Sequence, residues 1–339
     1  MSITSRAARV SKGHVSRRGT QGAALLAVLW LSAALAAIAF SLADTVRGEA
    51  ERSATDVDSL RAQQLAEGGL RRAILYLDWG RRYPAVARFK PTPFFVFDFP
   101  EGRTTVEVIP ETAKINLNYA PAEELSHLLL NLGAGPARAQ EVAAAIVDWR
   151  TADPAGHSPF DAFYRTLRPP YSAPHGPFQD VEELLGVKGV TPDLFYGTWR
   201  PAPPDGPQHL VRRAGLRDCL SVFGSMGQVD VNTAEPAVLA TVGVPPAGVD
   251  ALVRQRREQP FLTMADLAPF EEVAGAGFAH LRIGGNSIFT LRSTARVRLI
   301  NGQWSDLRRT VGAQVKLMPQ GYDAPYHILR WYDTLTAGQ

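Results

Sequence analysis

Residues 23–43 read AALLAVLWLSAALAAIAFSLA, twenty-one positions without a charged side chain. A helix of that length crosses the hydrocarbon of a bilayer. The helical composition does not stop there. Residues 44–77, DTVRGEAERSATDVDSLRAQQLAEGGLRRAILYL, hold no proline, and none follows until Pro84. Leu60, Leu65, Leu70, Ile74 and Leu77 recur roughly by turns, giving this second stretch an apolar stripe. Together they predict one helix of about 60 residues, about 90 Å long at 1.5 Å per residue: a membrane span (23–43) with an amphipathic continuation (44–83). An ordinary secretory signal is the competing reading of the apolar run. The length of the run and the lack of a clear break before Asp44 count against it.

Upstream, residues 1–22 carry Arg6, Arg9, Lys12, Arg17 and Arg18 and no acid. A basic leader ahead of a span predicts a cytoplasmic N-terminus. The leader also accounts for the sequence pI of about 9.1: without its five cations the formal charge of +3 becomes −2. The body is mildly acidic, which argues against phosphate binding by the whole chain. With 339 residues, 45% hydrophobic and 20% charged, there is room for two domains beyond the anchor. A single cysteine, Cys219, excludes an intramolecular disulfide and every multi-cysteine metal site, and leaves the redox compartment open.

Downstream, FFVFDF (94–99) and RTTVEVI (103–109) flank Pro100, Glu101 and Gly102, a β-hairpin pattern. A second hairpin is predicted from IFTLRSTARVRLI (288–300), a turn with Asn301-Gly302, and the alternation of Val311, Ala313, Val315 and Leu317. Residues 115–285 between them are rich in helix-like segments. The expected organisation is α+β: residues 84–114 and 286–339 form a small antiparallel sheet, interrupted by an inserted helical domain at 115–285.

The insert carries a weak duplication. Asn118-Tyr-Ala leads to Leu125 and Asn232-Thr-Ala to Leu239, each seven residues on. Each copy then shows a glycine turn (Gly133-Ala-Gly135; Gly243-Val-Pro245), a helix ending in arginine (Arg150; Arg257), and a phenylalanine six residues before a leucine (Phe178 and Leu184; Phe261 and Leu267). Four steps separate Arg257 from Phe261, whereas twenty-eight separate Arg150 from Phe178. The first copy therefore holds an extra loop, 151–177, with six prolines.

A basic leader ending in glycine, then an apolar helix running into an amphipathic one and a small sheet, resembles the type IV pilin-like proteins. With AKINLNYAPAEEL, AIVDWR, PPYSAPHGPFQDVEELLGVKGVTPDLF and VDVNTAEPAVLA in order, the chain is similar to the K-type minor pseudopilins of type II secretion (the GspK family). That resemblance implies leader cleavage by a prepilin peptidase between Gly22 and Ala23, with Gly19 as the alternative site, and methylation of Ala23. It implies filament packing through Leu25, Leu26, Ala27 and Leu29. It also implies a single-pass inner-membrane protein with a periplasmic main domain and other minor pseudopilins as tip partners. Shaft-forming pilins usually carry a glutamate at mature position five, where it neutralises a neighbour's terminal amine; here that position is Ala27. An uncompensated buried ion costs several kcal/mol, so this subunit fits where no other lies beyond it, at the tip. A plain anchor is the bland reading of the same alanine.

The resemblance further implies calcium in the helical domain, with Asp148, Asp153 and Asp161 as candidate ligands. Thr151 and Ala152 stand where the family pattern is richer in acids, so the reading of Asp153 and Asp161 as ordinary loop acids stays beside it. A second resemblance concerns 229–267, which is similar to helix-hairpin-helix DNA-binding modules of membrane-anchored competence proteins. There the hairpin N–H groups would meet phosphate and Arg254, Arg256 and Arg257 would add charge. Pro245 and Pro246 remove two of those donors, which makes nucleic acid an improbable partner. No P-loop, G-x-G-x-x-G, G-x-S-x-G or H-E-x-x-H occurs, and Asp148 with Glu141 reads as a solvated helix face. No catalytic residue is expected. The leading functional expectation is a non-enzymatic tip pseudopilin promoting assembly and protein export; a DNA-uptake receptor is second, and an anchored enzyme with an unrecognised site third.

Overall fold

The computed structural model describes residues 20–83, 93–153, 155–201, 210–285, 287–299 and 301–333. Residues 1–19 of the leader, with the Gly19 alternative, lie outside this set. Two compact units divide the chain, Met1–Asp58 and Ser59–Gln339. The first is helical where described: α1 (Thr20–Arg82) starts in it. Its described apolar side chains from residue 23 to 57 are exposed, and an 18-residue window reaches a mean hydropathy of 2.4 with none of it buried. By length and composition it is a candidate membrane anchor.

In the second unit, the last turns of α1 lie on a five-stranded sheet: β1 (Phe94–Phe99), β2 (Gly102–Pro110), β3 (Ile288–Arg298), β4 (Trp304–Leu317) and β5 (Tyr326–Tyr332), adjacent in that order. All pairings are antiparallel. The period-two pattern read from sequence puts Val106 and Val108, Leu291 and Ala295, and Val311, Ala313, Val315 and Leu317 on one face. Ala66, Leu70, Ala73 and Ile74 of α1 close over that face. The Asn301-Gly302 turn forms, with Gly302 at φ +79°, a conformation that suits glycine.

The sheet is interrupted as expected. β2 and β3 are direct neighbours, Val106 opposite Ser293 and Val108 opposite Leu291, yet 177 residues separate Pro110 from Ile288. Among the described residues between them, a second, larger core gathers around Leu117, Leu128, Ile146, Tyr164, Phe178, Val238 and Phe261. Helices α2 (Ala122–Asn131), α3 (Pro136–Arg150), α4 (Pro236–Thr241) and α5 (Pro246–Glu258) build it, with short helical turns between. Pro136 and Pro246 both sit in the first turn, where a missing N–H costs nothing.

Candidate functional site

The duplication is a structural repeat, and its details go beyond the sequence match. Each copy opens on a two-residue strand that pairs in parallel with the strand closing the copy: Ile115-Asn116 with Leu220-Ser221, and Val229-Asp230 with Leu281-Arg282. Asn118 makes a two-way bond with the backbone of Phe178, donating from Nδ2 to its carbonyl at 2.9 Å and accepting its N–H at 2.8 Å. Asn232 does the same with Phe261, at 2.8 and 2.9 Å. Carboxylates then cap both returns. Glu183 accepts the N–H groups of Gln179 and Asp180, and Asp266 those of Leu262 and Thr263.

One pairing from the sequence is corrected. Arg150 donates to the carbonyls of Leu117 and Ala120; its counterpart is Arg256, not Arg257, with Nη1 on the carbonyls of Val231 and Ala234 at 2.8 and 2.7 Å. Burial pushes both guanidinium pKa values down, and for Arg256 it outweighs Glu235 and Asp230 nearby. These two arginines satisfy carbonyls ahead of α2 and α4, a structural task that leaves Arg256 unavailable to phosphate.

The helix hairpins are likewise turned to internal use. Gly133 and Gly243 occupy the same position, with φ of +76° and +95°. The guanidinium of Arg213 lies against Gly133, so a Cβ there would collide with it. Gly277 packs on Val244 so closely that a Cβ on Gly277 would meet the Val244 nitrogen. Val244 N–H already bonds Leu239 and Ala134 N–H bonds Leu129. In the second hairpin, Pro245 and Pro246 supply no N–H groups to a phosphate.

The three aspartates of the calcium expectation are engaged by the chain's own groups. Asp148 Oδ2 accepts the Ser158 hydroxyl at 2.7 Å, and Asp153 Oδ2 accepts the Ser158 N–H at 2.8 Å. Asp161 lies 3.1 Å from His175 Nε2 and 3.4 Å from Arg165. Among the described residues, no three acidic, histidine or cysteine side chains gather about one point. Calcium needs six to eight oxygens around one centre, so these residues do not fit the ion. Asp153 titrates lower than usual: burial alone would raise it, and the N–H groups of Ser158, His157 and Gly156 outweigh that. For His175, burial works against protonation, but the Asp161 bond and the Asp148 carbonyl prevail and its pKa rises.

Sequence reasoning missed how the insert is fastened to the sheet. Arg330 on β5 meets Asp180 and lies 2.8 Å from Glu182 of the insert. Arg217 faces the same Glu182 at 3.7 Å and lies over the rings of Tyr196 and Tyr332. These groups line a cleft of about 600 Å³ whose floor holds Glu111 and Thr290, bonded at 2.5 Å. Burial would raise the Glu111 pKa, but Lys114 and neighbouring hydroxyl and amide groups bring it below the usual value. The aromatic run YHILRWY was the available signal for β5.

Leu25, Leu26, Ala27 and Leu29, the expected packing residues, all lie on the exposed part of α1, with Leu25 72% exposed. Residues 110–197 match the family model described as Type II secretion system (T2SS), protein K. The chain is 28% identical over 194 residues to the type II secretion system protein K of Klebsiella pneumoniae, covering 52% of this chain and 60% of that protein. It is 35% identical over 77 residues to the protein of the same name in Pectobacterium carotovorum subsp. carotovorum, 22% of this chain and 24% of the other. This chain thus spans less than two thirds of either relative. In fold it is similar to a chain in the crystal structure of the GspK-GspI-GspJ complex from the enterotoxigenic Escherichia coli type 2 secretion system. The TM-score is 0.51 at 17% identity, over 84% of this chain and 100% of that one.

Proposed function

We propose that this chain is a minor pseudopilin at the tip of the secretion pseudopilus, a reading supported by the match of residues 110–197 to the type II secretion protein K model and by the similarity to the Klebsiella pneumoniae protein. It has no catalytic role in this reading; it promotes assembly and export by occupying one end of the filament. Residues 23–43 hold it in the inner membrane with the N-terminus cytoplasmic and the insert periplasmic. A prepilin peptidase cleaves after Gly22, Ala23 is methylated, and other minor pseudopilins join through Leu25, Leu26, Ala27 and Leu29. The insertion of a whole two-repeat domain between the paired strands β2 and β3 carries this reading. Such bulk beside the sheet leaves little room for a subunit stacked above, and Ala27 offers no carboxylate to one. No second reading is favoured, since the second hairpin packs on Gly277 and Arg256 is spent on backbone carbonyls.

Labelled full-length protein should be found at one filament end only, and Ala27→Glu should leave it there because the insert is unchanged. Label distributed along the filaments would overturn the tip assignment. Mass spectrometry of the membrane form should show Ala23 at the N-terminus; an intact leader would remove the pilin reading altogether.

A further inference from the structure

The proline-rich loop of the first repeat is too long to be held by its ends alone, and its interior acids are already engaged. Asp148 on α3, Asp153 in the loop and Asp161 at the start of the turn Asp161–Thr166 mark three corners of it. Ser158 joins the first two, giving its hydroxyl hydrogen to Asp148 and its N–H to Asp153, and its Oγ accepts from Phe160 N–H at 3.1 Å. His175 joins the third corner to the first: Nε2 faces Asp161 Oδ1 at 3.1 Å and Nδ1 faces the Asp148 carbonyl at 3.3 Å. Carbonyl and carboxylate oxygens only accept, so both ring nitrogens stand where donors are needed. The backbone at His175 is left-handed, φ +46°, the one non-glycine residue so placed among those described. A conformation that costs of order 1 kcal/mol or more persists where surrounding contacts over-determine it.

We infer that His175 and Ser158 close this loop in place of a divalent cation, so that the folded first repeat needs no calcium. The imidazole gathers Asp161 and the end of α3 as a bound ion would gather them, by hydrogen bonds instead of coordination. This goes beyond the pseudopilus reading and does not depend on it.

The test uses the full-length chain in detergent micelles, comparing thermal midpoint and amide hydrogen exchange in calcium chloride and in EGTA. His175→Asn removes the ring while keeping a residue that tolerates left-handed backbone. For the wild-type chain, the midpoint and the exchange of residues 155–176 should be the same in both media. In His175→Asn, amides of 155–176 should exchange at least about tenfold faster, those of 229–282 should not change, and calcium should restore nothing. Ion binding to the native state alone would raise the midpoint with calcium concentration. Such a rise in the wild-type chain, unchanged loop exchange in His175→Asn, or restoration of its protection by calcium would each overturn the inference.

Discussion

The two repeats of the insert make the same turn with very different lengths of chain. In the second, five residues carry Arg256 to Phe261; in the first, twenty-eight carry Arg150 to Phe178. Both end at the same asparagine clamp. The excursion therefore leaves the repeat's frame intact, and the additional residues must stabilise themselves. They do so with an apolar anchor and a polar tie. Tyr164 is fully buried, edge-on to Trp149 and stacked with Tyr171, and its hydroxyl accepts the Lys188 N–H at 3.3 Å. In the second repeat, Phe270 packs edge-on to Phe261 without any long loop.

Breaking that anchor should have the largest effect. Tyr164→Ala deletes a buried ring and its hydrogen bond, so a loss of about 4 kcal/mol is expected. Thermal unfolding would measure it. A loss under about 1 kcal/mol would mean that the loop is an appendage instead of part of the core.

The arginines test whether the repeats are energetically alike. Arg150→Ala and Arg256→Ala each leave two carbonyls without their guanidinium partner, which should cost about 3 kcal/mol in either repeat. Arg257→Ala, on an exposed position one residue further, should change stability by less than about 0.5 kcal/mol. Equal losses at 256 and 257 in denaturant titrations would undo the assigned correspondence.

That pair also shows where sequence reading stops. Adjacent residues on a helix point about 100° apart, so spacing alone could not choose between Arg256 and Arg257. The long helix was legible because absence of charge over 23–43 is unambiguous, and the hairpins because alternation and Asn301-Gly302 are local signals. The chain's return from Pro110 to Ile288 was legible from the two flanking hairpin patterns. What stayed hidden was non-local. Two-residue parallel pairings such as Ile115 with Leu220 leave no periodicity, and the latch of Arg330 to Asp180 joins residues 150 positions apart. The aspartates at 148, 153 and 161 looked alike in sequence; only the fold assigns Ser158 to two of them and His175 to the third.

The hairpin glycines should give a smaller, unequal pair of effects. Alanine at either position pays for left-handed backbone, about 1 kcal/mol. At Gly243 the nearest atoms to a new Cβ are at 3.8 Å, so strain is the whole cost. At Gly133 the Arg213 guanidinium must also move, and Gly133→Ala should lose more than Gly243→Ala in thermal unfolding. The reverse order would show that Arg213 does not rest on this hairpin.

The smallest effect concerns a position where the repeats differ by one atom. Asn116 in the first corresponds to Asp230 in the second, each two residues before its clamp asparagine. Asp230 is 2% exposed and accepts from Thr233 at 2.5 Å and Gly284 at 2.7 Å. Burial raises its pKa despite these bonds and the nearby Arg256. A carboxyl with a folded pKa above its unfolded value stabilises while protonated, and that contribution is lost as pH rises from about 4 through the folded pKa. Asp230→Asn makes the second repeat resemble the first at this point. Its amide oxygen can keep the Gly284 bond, and the Thr233 hydroxyl can turn to accept from the amide nitrogen. The decline of stability with rising pH should then be shallower than in the wild-type chain, though not abolished, since Glu235 is also raised by burial and by Asp218. Denaturant titrations from pH 4 to 8 would measure the slope. A variant that loses stability more steeply than the wild type as pH rises would show that Asp230 is favoured as the anion, and that the second repeat depends on a charge the first does without.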